Sequence, residues 1–434
     1  MLDINFIKEN LKTLEKVTKD KGLKIDYKQL LKLDEKRRSL ILEIDELRQK
    51  RNANADLLKD PKKRTEKLIN EGKALKDELV ALESDLNKVK AEYEEMMLLV
   101  PNIIAKDTPI GKDETDNKVI SKWGEIPKFK FKIKDHLQLG KDLDILDIDR
   151  GVKVSGFRGY YLKNEGALMQ MALMQYAFHK LIAKGFTPFV TPTLLRQEAL
   201  IGSGHFPFGK EEIYQIGNPG KLDTGEEIKE PLYLAGTSEP SLLAYHADEM
   251  LKEEDLPLKY CGFSTCYRSE IGSYGKDTKG LYRLHEFMKI EQVVICQADL
   301  EAGLKWFNEL RKISEEILQD LKLPYQVILI CTGDMGAGKY TMNDIETWMP
   351  SRNKYSETHS NSFLTDWQAR RLSLKYKTKK GETKYAFTLN NTAIASPRIL
   401  IALWENYQNA DGSITIPEII RPYMGNQEKI RPKA

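Results

Sequence analysis

The chain has 434 residues, 41% of them hydrophobic and 31% charged; this is enough apolar material for two to three packed domains and excludes a largely disordered protein. Its 68 basic and 65 acidic residues leave a net charge of +3, so it is not a globally basic nucleic-acid binder. No apolar run reaches the ~18 residues of a membrane span, and MLDINFIKEN lacks the basic-then-apolar pattern of a secretory signal. Four cysteines make no disulfide framework in so long a chain, and a cytoplasmic setting is expected.

Residues 1–22 predict a short helix capping the base of a longer helical hairpin. From Leu30 a seam runs Leu30, Leu33, Arg37, Leu40, Ile44, Leu47, Arg51, Asn54 with spacings alternating three and four. A second runs Leu68, Gly72, Leu75, Leu79, Leu82, Leu86, Val89, Tyr93, Met96, Val100. Pro61 interrupts them and Pro101 closes the second, so the pattern predicts an antiparallel coiled-coil hairpin over about 28–100, roughly 40–50 Å long. Heptads alone favour a dimerisation coil or a rigid spacer. The charge shifts that reading: Arg48, Lys50, Arg51, Lys59, Lys62, Lys63, Arg64 and Lys67 face three acidic residues, a local net of +5 at the far end. Such a tip would be rewarded by the phosphates of a structured RNA. Arg37 and Arg51 at seam positions are expected to weaken the hairpin's packing.

Residues 102–160, polar and rich in Lys, Asp and Gly, read as a linker leading into the core, and 161–434 as one large domain. Helices are expected at Ala167–Lys184, Glu239–Leu251, Asp299–Leu321 and Ser396–Tyr407. Strands are expected at Phe186–Leu195, Tyr260–Arg268, Glu291–Ile295, Tyr325–Cys331, Asp344–Met349, Tyr385–Leu389 and Ile414–Ile416. The order is not a regular βαβ repeat. The fold class is α+β, a mostly antiparallel sheet flanked by helices.

Some motifs mislead. Gly333–Tyr340 nearly fits a P-loop, but Tyr340 stands where a Ser or Thr would hold Mg²⁺, and the following residues read as a strand, so a glycine-rich turn is the better account. Asn390-Asn391-Thr392 matches a glycosylation acceptor without a secretory context. The cysteines and the six histidines have no zinc-ligand spacing.

Four segments combine charge with strand context. Arg268 and Glu270, two apart and so on one face of an extended strand, read as a phosphate- or carboxylate-binding face or as a surface ion pair. Gly236-Thr237-Ser238-Glu239 reads first as an ordinary helix start. Ser356–Ser362 reads as a polar loop that could hold Mg²⁺ on oxygen ligands. Leu389–Arg398 puts small residues before a helix, with Arg398 unfavourably placed in its first turn.

In this order and behind such a hairpin, these segments closely resemble the seryl-tRNA synthetase family of class II aminoacyl-tRNA synthetases. Tyr267–Glu291, Glu346–Arg371 and Leu403–Met424 carry most of the resemblance. It implies a six- or seven-stranded antiparallel class II sheet and a homodimer formed through the helix Ala167–Lys184 and the strand around Pro192. It also implies ATP-dependent activation of L-serine, with Mg²⁺, and transfer to tRNA(Ser) and also tRNA(Sec). Arg268 resembles the arginine at the ATP α-phosphate and serine carboxylate. Ser269 and Glu270 follow it, Glu270 at adenine. Leu284 resembles a backbone contact to ATP, and Phe287 and Arg398 the adenine sandwich. Glu357, Thr358, His359 and Ser360 fall at the phosphates, Glu357 and Ser360 as Mg²⁺ ligands. Thr237, Ser238, Glu239, Glu291, Asn390 and Thr392 fall at the serine site. Lys276 and Lys279 fall where the acceptor end of tRNA lies, and the hairpin tip where its long variable arm lies. This chain departs from the family at Asn391, in place of a glycine, at His359, in place of an apolar or small residue, and at the two lysines, where Arg is frequent. A catalytically silent, tRNA-binding relative is the alternative reading.

Overall fold

The computed structural model describes residues 1–218, 220–271 and 280–433. It divides into two compact units, Met1–Pro101 and Asn102–Ala434.

The first unit holds α1 (Ile4–Glu9), α2 (Leu11–Asp20), α3 (Tyr27–Lys59) and α4 (Glu66–Leu99); two short helices thus stand where one was expected over 1–22. Asp26 accepts the Gln29 N–H at 2.9 Å and starts α3, and Thr65 accepts the Leu68 N–H at 3.3 Å and starts α4. Leu33 and Leu40 meet Val89, while Ile44 and Leu47 meet Leu79, so the two long helices run antiparallel as the heptads imply. Arg37 does not loosen the seam. Its guanidinium bonds Asp34 at 2.9 Å and covers the Tyr93 ring at 4.8 Å. Asp34 also takes Lys8 at 2.6 Å and Arg38 at 3.0 Å. Burial pushes its carboxyl up, but Lys8 and Arg37 hold it below the usual range. Nearer the tip, buried Asn54 donates to the Leu68 carbonyl at 3.2 Å. Gly72 makes room for it, since a Cβ there would lie 2.9 Å from Asn54 Oδ1. The eight basic tip residues are exposed.

The second unit is built on a sheet of eight strands among the described residues. They are β1 (Lys118–Trp123), β2 (Thr187–Val190), β3 (Leu258–Tyr267), β4 (Glu286–Cys296), β5 (Tyr325–Leu329), β6 (Thr341–Met349), β7 (Lys354–Phe363) and β8 (Phe387–Ala395). Their order is β1-β5-β6-β7-β8-β4-β3-β2, antiparallel except for the last pair. The helices are α5 (His136–Asp142), α6 (Ile148–Ser155), α7 (Asn164–Ala183), α8 (Gln197–Ser203), α9 (Glu239–Ala244), α10 (Leu300–Asp320), α11 (Trp367–Arg371) and α12 (Ser396–Asn406). Side chains of α7, α10 and α12 join the sheet's apolar residues in one large core. Among the described residues no helix is long and apolar enough to cross a membrane.

Several elements differ from expectation. Residues 102–160 are not only a linker: they supply edge strand β1, α5 and α6. The expected strand Phe186–Leu195 breaks at Pro192, which has no N–H to give a ladder, and Leu194–Arg196 pairs instead with Leu232–Leu234. The helix expected to reach Leu251 stops at Ala244. Asp248 turns left-handed there (φ 61°), and its N–H bonds the Leu372 carbonyl at 2.8 Å. Ser356–Ser362 is not a loop but the middle of β7. Some of its polar side chains find partners inside the fold, as Asn361 Nδ2 does in the Phe307 carbonyl at 2.9 Å, while Ser356 Oγ, Asn361 Oδ1 and Ser362 Oγ are buried with none among the described residues; the strand forms despite a loop-like composition.

Candidate active site

One cleft of about 250 Å³ opens on the face of β4, β7 and β8. The pleat explains part of its wall: Phe287, Lys289 and Glu291 alternate along β4 and all face it. Two β-bulges explain the rest. On β7, Glu357 pairs with Glu346 and His359 with Ile345, leaving Thr358 unmatched. Glu357 and Ser360, three apart, therefore share the cleft face, which a regular strand would forbid. On β8 a second shift between Thr392 and Ile394 brings Thr392 and Ala395 to one side.

Arg268 follows the last residue of β3. Its Nε donates to the Gly236 carbonyl at 3.3 Å, and its guanidinium lies 5.4 Å from the Phe287 ring centre. Glu270 does not share a strand face with it: the strand has ended, and Glu270 has φ 55°. Arg283 at 3.2 Å and Arg158 at 3.6 Å hold its carboxylate in that turn. Leu284 lines the cleft, whereas Ser269 turns away and donates to the Glu211 carbonyl at 2.8 Å.

Arg398, in the first turn of α12, pairs with Glu357 at 3.0 Å. The ring under Arg398 is Tyr282, at 4.5 Å, rather than Phe287, although all three line the cleft. Burial raises the Glu357 carboxyl, and Arg398 more than offsets this, holding it below the usual range. Opposite Ser360 on β6 lies Asp344, buried, with Oδ1 lacking a hydrogen-bond partner among the described residues. Burial and the Glu357 charge push its carboxyl well up. Two mutually repelling carboxyls beside a hydroxyl are hard oxygen donors, which fits Mg²⁺. No group of three His, Cys, Asp or Glu among the described residues could hold a metal ion, so water and substrate phosphate oxygens would supply the rest of its shell.

Thr237 and Glu239 enter the cleft at the start of α9. Glu239 accepts from Gln368 Nε2 at 2.7 Å. Burial raises its carboxyl, and Lys339, His205 and Gln368 bring it below the usual range. Ser238 instead donates to the Gly262 carbonyl at 3.1 Å, behind the cleft. Glu291 pairs with Lys289 at 2.6 Å and accepts from Thr392 Oγ1 at 3.4 Å; burial still leaves its carboxyl raised. Asn390 faces the cleft with Nδ2 buried and without a partner among the described residues.

The two departures at buried positions point away from the cleft. Asn391 donates to the Leu310 carbonyl and Ser314 Oγ at 2.8 and 2.9 Å on α10. His359 contacts Thr358 at 2.8 Å, and burial lowers its imidazole to about 4. Lys276 and Lys279 lie outside the described residues.

Sequence reasoning missed Lys289, His205 and Lys339 in the wall. Lys289 was findable from its spacing, midway between Phe287 and Glu291 on one strand. Lys339 comes from the glycine turn dismissed as a P-loop. That turn is indeed followed by a strand, and Asn102 pins it by donating to the Gly338 carbonyl at 3.1 Å.

The sequence family described as tRNA synthetase class II core domain (G, H, P, S and T) matches residues 221–407, and that described as Seryl-tRNA synthetase N-terminal domain matches residues 1–104. The chain is 45% identical to the serine--tRNA ligase of Deinococcus radiodurans, covering 99% of this chain and 98% of that one. It is 42% identical to that of Dictyoglomus turgidum over the full length of both. Among solved structures it superposes on the seryl-tRNA synthetase of Pyrococcus horikoshii complexed with ATP, with TM-score 0.87, 35% identity and full coverage of both chains. The cytoplasmic serine-tRNA ligase of Naegleria fowleri in complex with AMP gives TM-score 0.84 and 30% identity, covering 100% of this chain and 99% of that one. With both of its units and its full length matched, the chain belongs to the seryl-tRNA synthetase family of class II aminoacyl-tRNA synthetases.

Proposed function

We propose a division of labour within this serine--tRNA ligase cleft. The observation that carries it is the convergence on one wall of Arg268, Glu291, Glu357 and Arg398 from four separate segments. Phe287, Leu284, Glu270 and Arg398 take ATP. Glu239 and Thr237 take the serine ammonium, and Glu291, Thr392 and Asn390 its hydroxyl side. Glu357 and Ser360 would hold Mg²⁺, which when bound supplies charge neutralisation at the phosphates. Step one needs no general base, because the attacking serine carboxylate is already anionic. Arg268 orients it and stabilises charge on the α-phosphate as pyrophosphate leaves. The tRNA terminal hydroxyl then attacks the adenylate carbonyl and releases AMP.

The exposed basic tip supports a grip on the long variable arm of tRNA(Ser), extending to tRNA(Sec), read by shape and backbone. Leu168 and Met171 on α7, with Val190 and Leu194 beyond it, are exposed apolar residues and support a homodimer around the Pro192 segment. Four buried free thiols are compatible with a reducing, cytoplasmic setting.

ATP–pyrophosphate exchange across the twenty amino acids, followed by charging of tRNA, tests the scheme. Exchange with serine alone is expected. A protein that binds tRNA but exchanges with no amino acid would be a silent relative instead.

A further inference from the structure

The hydrogen bonds behind the ATP side of the cleft converge on one carboxylate. Glu405 stands two turns after Arg398 on α12, so both project from one face of that helix. It is fully buried. Its oxygens accept from Ser351 N and Oγ at 2.9 and 2.8 Å, and from His136 N and Nδ1 at 3.0 and 2.9 Å. With Nδ1–H donating to Glu405, His136 Nε2 is an acceptor, and it receives the Leu281 N–H at 3.2 Å. The approach requires glycine at the preceding position: a Cβ on Gly280 would lie 2.2 Å from Nε2.

A second branch reaches the next residue. Ser351 is followed by Arg352, whose guanidinium covers the Tyr282 ring at 4.2 Å, and Arg398 Nε donates to the Tyr282 carbonyl at 3.2 Å. Tyr282 in turn donates its hydroxyl to the Glu357 carbonyl at 3.1 Å. Glu405 and His136 do not line the cleft, and the serine side has its own supports in Gln368 and Lys289.

We propose that Glu405 and His136 are positioning residues that hold Leu281–Leu284 in place for ATP, separately from serine binding. This rests on reading that segment as part of the ATP site.

The test uses the full chain as wild type, His136→Phe and His136→Gln. Pyrophosphate exchange is measured with ATP and serine varied separately, and binding of ATP with Mg²⁺ by calorimetry. His136→Phe removes both bonds and is expected to raise the KM and Kd for ATP about fivefold to tenfold, near the upper end for one buried hydrogen bond, with the serine KM within about twofold. His136→Gln places a side-chain carbonyl near the Nε2 position, can accept the Leu281 N–H, and is expected to restore most of the ATP affinity. Unchanged ATP affinity in the Phe variant, parallel rises for ATP and serine, or equal defects in the two variants would overturn the proposal. If wild type binds ATP but exchanges with no amino acid, the serine-activation reading fails, and calorimetry still decides the role of the pair.

Discussion

Lys289 and Glu291 stand two residues apart on β4 and their side chains meet at 2.6 Å, each less than one-tenth exposed. A buried charge pair of this kind is costly to break from one side, because the remaining partner is left unpaired. It also holds Glu291 toward Thr392 across the sheet, where the two would bracket a small hydroxyl. Alanine, lacking that hydroxyl, would offer Glu291 and Thr392 no further bond beyond the long one between them and the Lys289 pair. Glu291→Ala is therefore expected to lower the serine-over-alanine ratio of kcat/KM by about tenfold to a hundredfold, on the scale of one lost buried hydrogen bond to a charged group. Pyrophosphate exchange with each amino acid measures this; an unchanged ratio would assign Glu291 to packing alone.

Arg268 is held by a long bond to the Gly236 carbonyl and by the Phe287 face, which leaves its fork able to turn toward an anion. Removing a charge stabiliser of this type costs on the order of a hundredfold to a thousandfold in rate. Arg268→Ala should slow adenylate formation by about that much, read by single-turnover quench. Arg268→Lys should recover little, because an ammonium cannot make the bidentate contact. Near-normal exchange in the alanine variant would remove Arg268 from the phosphate site.

The tip of the arm makes a separable prediction. Lys62, Lys63, Arg64 and Lys67 are exposed, beyond the last apolar contacts of the hairpin. Changing all four to Ala should leave serine-dependent pyrophosphate exchange within about twofold. It should raise the KM for tRNA and flatten its dependence on salt, since each phosphate contact contributes to that slope. Equal loss in both assays would make the tip a folding element.

Two histidines, His359 buried and His205 half-buried in the cleft wall, give the fold a defined acid limb. Burial lowers His205 and His359 from an ordinary 6.5 to about 4. Between those values the unfolded chain takes up protons that the folded one refuses. Stability is thus complete above about 6.5, falls as pH drops through the window, and levels off below about 4 for these groups. Each contributes at most about 1–3 kcal/mol by this route. His359→Ala should make the fall from pH 7 to pH 4.5 shallower, as measured by urea unfolding of the full chain at each pH. An unchanged pH profile would show that His359 is not a proton-linked group.

The parts of the fold that were legible in the sequence are those governed by local period. The heptads gave both long helices, and Phe287–Glu291 alternate as a strand should. Arg37 broke the heptad rule, and only the fold reveals the repair, because Asp34 needs Lys8 from another helix and Arg37 needs Tyr93 from across the hairpin. The sequence placed Arg268 and Glu270 on one strand face because a spacing of two permits it. The left-handed backbone at Glu270 depends on Arg158 and Arg283, which no local pattern indicates. Lys339 was illegible because its role depends on where a glycine turn is pinned by Asn102, more than two hundred residues away in the chain.

The unmatched Thr358 in β7 lets two residues three apart in the chain, Glu357 and Ser360, share a face as if they were two apart. Deleting that single residue would let β7 run as a regular strand on β6 with Glu357 and Ser360 two apart, and the alternation would keep both on the cleft face. One lost codon could thus leave the pair in place, whereas straightening the bulge with Thr358 retained would carry Glu357 to the opposite face. A relative one residue shorter here could present the same pair, and in an alignment the difference would be visible only as a gap.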